Sequence, residues 1–234
     1  MTEQVQVHPT PEEVAKAFAV HFAEWAAESD KFTVALSGGS TPELVFQLMG
    51  WMYRDVLDWR KVHVFWGDER CVPPDHPESN FRMANELLLK HVPIPAGNIH
   101  RIMGENAPEL EAVRYADEIK EHVTCTAGWP VFDLVMLGIG TDGHTASIFP
   151  DQMALLKSEN VCAVATHPET GQQRITLTGQ AIIHARRVAF LVTGGSKRKI
   201  VRAIRERKDD WDTYPASYIL PKGALCWFLD EAAV

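Results

Sequence analysis

The chain has 234 residues, 46% of them hydrophobic, and a formal charge of −8 from 23 basic and 31 acidic residues. This length suits one α/β domain, residues 1–234, with a sizeable core. No apolar run approaches the ~20 residues of a bilayer span, residues 1–10 carry no apolar signal core, and the acidic balance argues against nonspecific nucleic-acid binding. The expectation is a cytoplasmic protein, monomer or small homo-oligomer, with neither membrane nor nucleic acid as partner. The four cysteines, Cys71, Cys125, Cys162 and Cys226, show no C-x-x-C spacing, so no zinc site is expected from them. No cofactor and no metal are expected.

Thr10-Pro11-Glu12-Glu13 is a helix start, with Thr10 as cap, Pro11 in the first turn and Glu13 completing a capping box. Val14, Phe18, Phe22 and Trp25 then repeat at helical spacing, and His21 beside them reads as a structural histidine. Residues 32–36 form the first predicted strand, 37–41 a turn, and Pro42 opens a helix to about Met49. Residues 62–66 are the next strand. The three prolines between Gly67 and Glu78 predict a loop, and helical spacing returns over 79–90. A short strand over 99–102, a helix over 108–122 and a buried strand over 132–137 follow. Apolar runs at 161–165, 175–177 and 188–192 read as strands, 197–207 as a helix, and 224–229 as the strand that closes the sheet. The alternation predicts an α/β fold with a mainly parallel, Rossmann-like sheet and helices on both faces.

Chemistry is expected beyond the C-terminal ends of the strands, where open α/β sheets form their ligand crevice. Ser37-Gly38-Gly39-Ser40-Thr41 lies between a strand and a helix start. Unpaired N–H groups and the helix dipole favour an anion there, and the lack of a Walker lysine argues against a nucleotide triphosphate. Asp68-Glu69-Arg70 directly follows the 62–66 strand. Arg70 can hold a phosphate or carboxylate, Asp68 can orient Arg70, a sugar hydroxyl or His144, and the role of Glu69 stays open. Gly138 and Gly140 let the backbone approach a ligand, and Asp142 and His144 follow on the same loop. An imidazole can take a proton from water at neutral pH; Asp142 can brace the loop. Gly-x-Ser-x-Gly is absent, so no hydrolase nucleophile elbow is expected. Lys197, a cation misplaced at a helix N-terminus, shares a face with Ile200, Val201 and Ile204 and is read as a phosphate ligand; Arg198 and Lys199 are read as solvated.

Residues 131–150, with Gly-Ile-Gly-Thr-Asp-Gly-His-Thr-Ala-Ser-Ile-Phe-Pro, resemble the signature of the 6-phosphogluconolactonase family. Residues 36–42, residues 66–70 with Val72-Pro73 and Ser79-Asn80-Phe81, and Gly194-Gly195-Ser196-Lys197 resemble three further segments of that family, in order. The resemblance implies hydrolysis of a small-molecule sugar phosphate lactone, 6-phospho-D-glucono-1,5-lactone, in the oxidative pentose phosphate pathway. It implies a fold like that of the glucosamine-6-phosphate isomerase/deaminases, and Arg174 as a phosphate ligand, although Arg174 precedes the 175–177 strand and so stands at the wrong end of it. Deaminases continue after the histidine with Ile-Ala-Phe-Asn-Glu-Pro. Here Thr145 to Pro150 follow with no Glu before the proline, which disfavours deaminase chemistry. A third reading, a sugar-phosphate-sensing domain, would need a DNA-binding segment, for which there is no room before residue 32.

Overall fold

A computed structural model describes residues 2–234. Strand β1 (Thr2–His8) leads into α1 (Pro11–Ala27), β2 (Phe32–Leu36), α2 (Ser40–Met52) and β3 (Val62–Trp66). Next come β4 (Asp68–Arg70), α3 (Asn80–Ala84) with a π-helical extension (Asn85–Leu89), and α4 (Pro108–His122). A small hairpin, β5 (Cys125–Thr126) and β6 (Trp129–Pro130), precedes β7 (Leu134–Leu137). The chain continues through β8 (Cys162–Thr166), β9 (Gln173–Leu177), α5 (Gly179–Ile183), β10 (Arg187–Val192), α6 (Arg198–Glu206) and β11 (Ala224–Asp230).

The central sheet has six strands in the order β1-β11-β10-β7-β2-β3, all parallel. Strands β2, β7 and β10 are almost wholly buried, which is why they read as unbroken apolar runs. The α1 stripe packs on this sheet as expected. Val14, Phe18, Phe22 and Trp25 are buried, and Phe18 meets Phe228 of β11 edge-on at 5.4 Å. Thr10 caps α1 by accepting from the Glu13 N–H, while the Glu13 carboxylate pairs with Lys16 instead of closing a capping box. His21 is structural. It stacks on Trp25, and its ring nitrogens lie against Gln6 and Glu24.

Four expectations are corrected. Residues 2–8 form β1, an edge strand beside β11, so β11 does not close the sheet; its exposed polar residues hid the pattern. Asp68–Arg70 is not loop but strand β4, pairing antiparallel with β9, which also pairs with β8. The 161–165 and 175–177 runs therefore belong to a second, three-stranded sheet. Residues 99–102 make only one bridge, Val64 to Ile99, and no strand. Helices α5 and the β5–β6 hairpin carry no apolar period long enough to be read in advance.

β3 is an edge strand, and its end must hand the chain to the second sheet. The outward N–H and C=O of Trp66 are both taken by the fully buried Tyr115 hydroxyl of α4, which accepts from the N–H at 2.7 Å and donates to the C=O at 3.0 Å. Gly67 then donates to Leu36 O and accepts from Leu177 N, each at 2.8 Å, so one residue bridges the two sheets. Tyr115→Phe would leave two buried backbone groups unpaired. It should destabilise the protein by about 1–3 kcal/mol and lower Tm by roughly 2–12 °C, measured by thermal and denaturant unfolding.

Candidate active site

A cavity of about 270 Å³ opens at the C-terminal ends of the central strands. Ser37, Gly38 and Gly39 follow β2, and α2 starts at Ser40. Gly39 has φ of +106°, which favours glycine, and α2 has no side-chain cap, so its first N–H groups face the cavity unpaired. A Cβ on Gly38 would fall 2.0 Å from the Asn80 side chain, so only glycine fits there.

The loop after β7 supplies the titratable pair. Asp142 Oδ1 accepts from the His144 N–H at 3.1 Å and lies 2.6 Å from His144 Nδ1. With Nδ1–H donating to Asp142, the His144 Nε2 carries its lone pair free, and His144 lines the cavity. Gly140 leaves room for this ring: a Cβ there would meet Nδ1 at 2.1 Å. The Gly140 N–H closes the loop on His144 O at 2.8 Å, and Thr145 Oγ1 donates to Gly138 O at 2.9 Å. Burial raises the Asp142 carboxyl, but the His144 hydrogen bond and charge outweigh it and hold the group down at about 2.

Three cations face this pair without a carboxylate partner among the described residues. Arg70 and Arg174 sit opposite each other on β4 and β9, each with a buried Nε that has no partner. Arg70 reaches only the Glu78 carbonyl, at 2.6 Å, and Arg174 lies over the Phe149 ring. Lys197 stands at the N-cap position of α6 without a side-chain capping bond and makes no ion pair among the described residues. Burial pushes both Arg174 and Lys197 below their ordinary values, Arg174 further so by the Arg70 charge. A cavity that strips water from cations and gives them no carboxylate ion pair is matched to an anionic ligand.

A model of the family described as glucosamine-6-phosphate isomerases/6-phosphogluconolactonase matches residues 9–227. The chain is 41% identical over 228 residues to the 6-phosphogluconolactonase of Haemophilus influenzae, covering 97% of this chain and 96% of that protein. It is 44% identical over 209 residues to that of Synechocystis, covering 88% and 85%. The solved structure of the Trypanosoma brucei 6-phosphogluconolactonase is 30% identical, covers 99% of this chain and 97% of its own, and superposes with a TM-score of 0.88. This chain belongs to the glucosamine-6-phosphate isomerase/6-phosphogluconolactonase family.

Within the family fold, the cavity gathers every residue that the sequence pointed to except Asp142 and Glu69. Ser37, Gly38, Gly39, Ser40, Thr41, Asp68, Arg70, Gly138, Gly140, His144, Arg174 and Lys197 line it, and Asp142 stands behind His144. Arg174 is not at the wrong end of its strand. β9 runs antiparallel to β4, which brings the start of β9 level with Arg70. Asp68 orients neither Arg70 nor His144; its Oδ2 accepts from Ser147 Oγ at 2.7 Å and its carbonyl accepts from Asn80 Nδ2 at 2.9 Å. Glu69 is a buried acceptor without cavity exposure. Helix α6 starts at Arg198, one residue later than expected, with Ile200, Val201 and Ile204 buried beneath it and Arg198 and Lys199 exposed. The sequence reading missed Asn80 and Thr193 as lining residues. The Gly38–Asn80 contact could not be foreseen from spacing, while Thr193, whose hydroxyl lies 2.8 Å from that of Thr41, follows a predicted strand end.

The depressed Asp142 carboxyl carries a signed prediction. Its folded value lies below the ordinary 3.8, so ionisation stabilises the fold above about pH 4, and that contribution disappears as pH falls through about 2. The stability difference between wild type and Asp142→Asn should hold steady above pH 5 and shrink from pH 4 downward in urea titrations.

Proposed function

We propose that the chain hydrolyses 6-phospho-D-glucono-1,5-lactone to 6-phospho-D-gluconate. The observation that carries the reading is a histidine with a braced Nδ1 and a free Nε2 in the same 270 Å³ cavity as three cations that lack carboxylate partners. The family membership and the 6-phosphogluconolactonase relatives support it.

The phosphate end of the substrate docks on the unpaired N–H groups at the start of α2, with Lys197 and Arg174 supplying charge-assisted bonds. That anchor sets the lactone ring against His144 and provides much of the orientation. His144 Nε2 takes a proton from water as the water oxygen attacks C1, and Asp142 stabilises the imidazolium that results. Negative charge grows on the carbonyl oxygen, where Arg70 and loop N–H groups offset it. The C1–O bond to the ring oxygen then breaks, and His144 returns its proton to that oxygen. One water is consumed, the hydroxyl and carboxylic acid of the gluconate form, the acid releases its proton to solvent, and the histidine is restored.

Deaminase chemistry is not favoured, because the residue before Pro150 is Phe149, a buried ring 4.8 Å from the His144 ring, where a carboxylate would be required by that pattern. A sensor of sugar phosphates would need the cations but has no use for a proton-accepting histidine held in one tautomer. Purified protein should hydrolyse the phospholactone well above the spontaneous rate and release no ammonia from glucosamine 6-phosphate; the reverse pattern would overturn the assignment.

Two variants separate base from anchor. His144→Asn should stay folded and bind substrate, with kcat lowered by roughly 10²–10⁴-fold and the acid limb of the kcat/KM profile lost; a loss below about threefold would remove His144 from the role. Lys197→Ala should raise KM for the phospholactone by about 10- to 150-fold, the equivalent of a charge-assisted bond of 1.5–3 kcal/mol, and far less for unphosphorylated gluconolactone. The unliganded variant should melt no lower than wild type, since a desolvated cation at a helix N-terminus is removed.

A further inference from the structure

The catalytic cavity sits at the C-terminal ends of the strands. A second cluster of ligating side chains lies toward the other end of β3. Glu118 and His122 are one helical turn apart on α4 and so share a face. His100 is held beside β3 by its N–H, which donates to Val64 O at 2.8 Å. Its Nδ1 lies 2.7 Å from Glu118 Oε1, and His122 Nε2 lies 3.5 Å from the same oxygen. The His100 and His122 rings are 4.3 Å apart between centroids. One ligand atom from each of the three residues falls within 4.8 Å of the other two.

We propose that His100, Glu118 and His122 bind one divalent transition-metal ion of the zinc class. The donor set is two imidazoles and one carboxylate, the chemistry that suits such an ion and not calcium or magnesium. Around a tetrahedral zinc, with bonds of about 2.0–2.2 Å, neighbouring donors stand roughly 3.3 Å apart. The cluster reaches that spacing by opening the His100–Glu118 contact and turning His122, whose side chain is 32% exposed. The surroundings suit the bound ion. His63 Nδ1 lies 3.2 Å from His100 Nε2, so once Nδ1 of His100 ligates, its Nε2–H has an acceptor waiting. The second Glu118 oxygen is occupied by Arg114 at 3.4 Å, which leaves Oε1 for the metal. A buried histidine needs only two partners, and His100 has them in Glu118 and His63; His122, the third imidazole, has no part in satisfying it. The partial exposure of Glu118 and His122 leaves the fourth position to water. An ion here would pin α4 to the β3 edge, remote from the reacting atoms, so binding and stability, not turnover, are the readouts.

The test is calorimetric titration of zinc into the full chain after chelation and dialysis, paralleled by cobalt absorption spectra. Wild type should bind one equivalent with a rise in Tm, and cobalt should give the intense visible bands of four-coordination. His122→Ala and Glu118→Gln, both at partly exposed positions, should lose the equivalent, the bands and the Tm rise. His63→Leu removes no ligand yet should weaken binding about 10- to 100-fold. His144→Asn, in the catalytic cavity, should bind as wild type does. Absence of binding, unchanged affinity in the two ligand variants, or loss of the equivalent in His144→Asn would overturn the proposal. Melting of each metal-free variant establishes that it is folded, and the two ligand variants test the site independently.

Discussion

The wall of the catalytic cavity depends on one buried carboxylate that has no cation beside it. Glu69 is 2% exposed and accepts four hydrogen bonds, from the backbone N–H groups of Arg70, Asn80 and Phe81 and from the Ser79 hydroxyl, at 2.7–3.0 Å. Burial pushes its carboxyl up, and the three backbone donors pull it back. These bonds fold residues 71–79 back on β4 and hold the start of α3 against it. Arg70 is thereby aimed into the cavity on one side and Asn80 on the other, with Asn80 Nδ2 reaching back to the Asp68 carbonyl. Removing the carboxylate would strand several buried donors at once, each worth about 1–3 kcal/mol. The residue does no chemistry, yet the positions of those that do rest on it.

The electrostatics of the cavity follow from what is left unpaired. The chain carries a net charge of −8, and most of its surface cations sit beside acids, as Lys16, Arg60, Lys90 and Arg202 do. Arg70, Arg174 and Lys197 are the contrast: buried in part, close together, and without a carboxylate. Repulsion between Arg70 and Arg174 and the lost hydration of Arg174 and Lys197 raise the energy of the empty site, and an incoming dianionic phosphate group relieves both. The two acids at the cavity are engaged elsewhere: Asp142 is turned toward His144, and Asp68 Oδ2 accepts from Ser147 Oγ. This division keeps the proton-accepting histidine oriented while leaving the cations free for substrate.

The second sheet explains how residues far apart in sequence converge. Gly67 bridges Leu36 of β2 and Leu177 of β9 through its own N–H and C=O, so β4 and β9 hang directly from the central sheet. Antiparallel pairing then sets Arg174 opposite Arg70, and Ser147 ties the His144 loop to Asp68 across the same seam.

The sequence by itself determined the central α/β layer and the loops that carry chemistry. Apolar runs at β2, β3, β7 and β10, the helical stripe of α1, and glycines 38, 39, 138 and 140 are local signals, because burial on both faces and backbone approach constrain residue type position by position. Asp142 and His144 were legible for the same reason: two residues apart on one loop, they meet whatever the rest of the fold does. Tertiary structure alone decided the remainder. β1 is polar because an edge strand needs only one partner. The true place of Arg174 depended on strand direction, which the short 175–177 run does not encode. The role of Glu69 stayed open in the sequence because three of its four donors stand ten to twelve residues away. The His100, Glu118 and His122 cluster likewise has only an i, i+4 pair in its sequence, and the third side chain arrives through the packing of α4 beside β3. Such contacts depend on the path of the chain between them, and that path is set by long-range packing of the core.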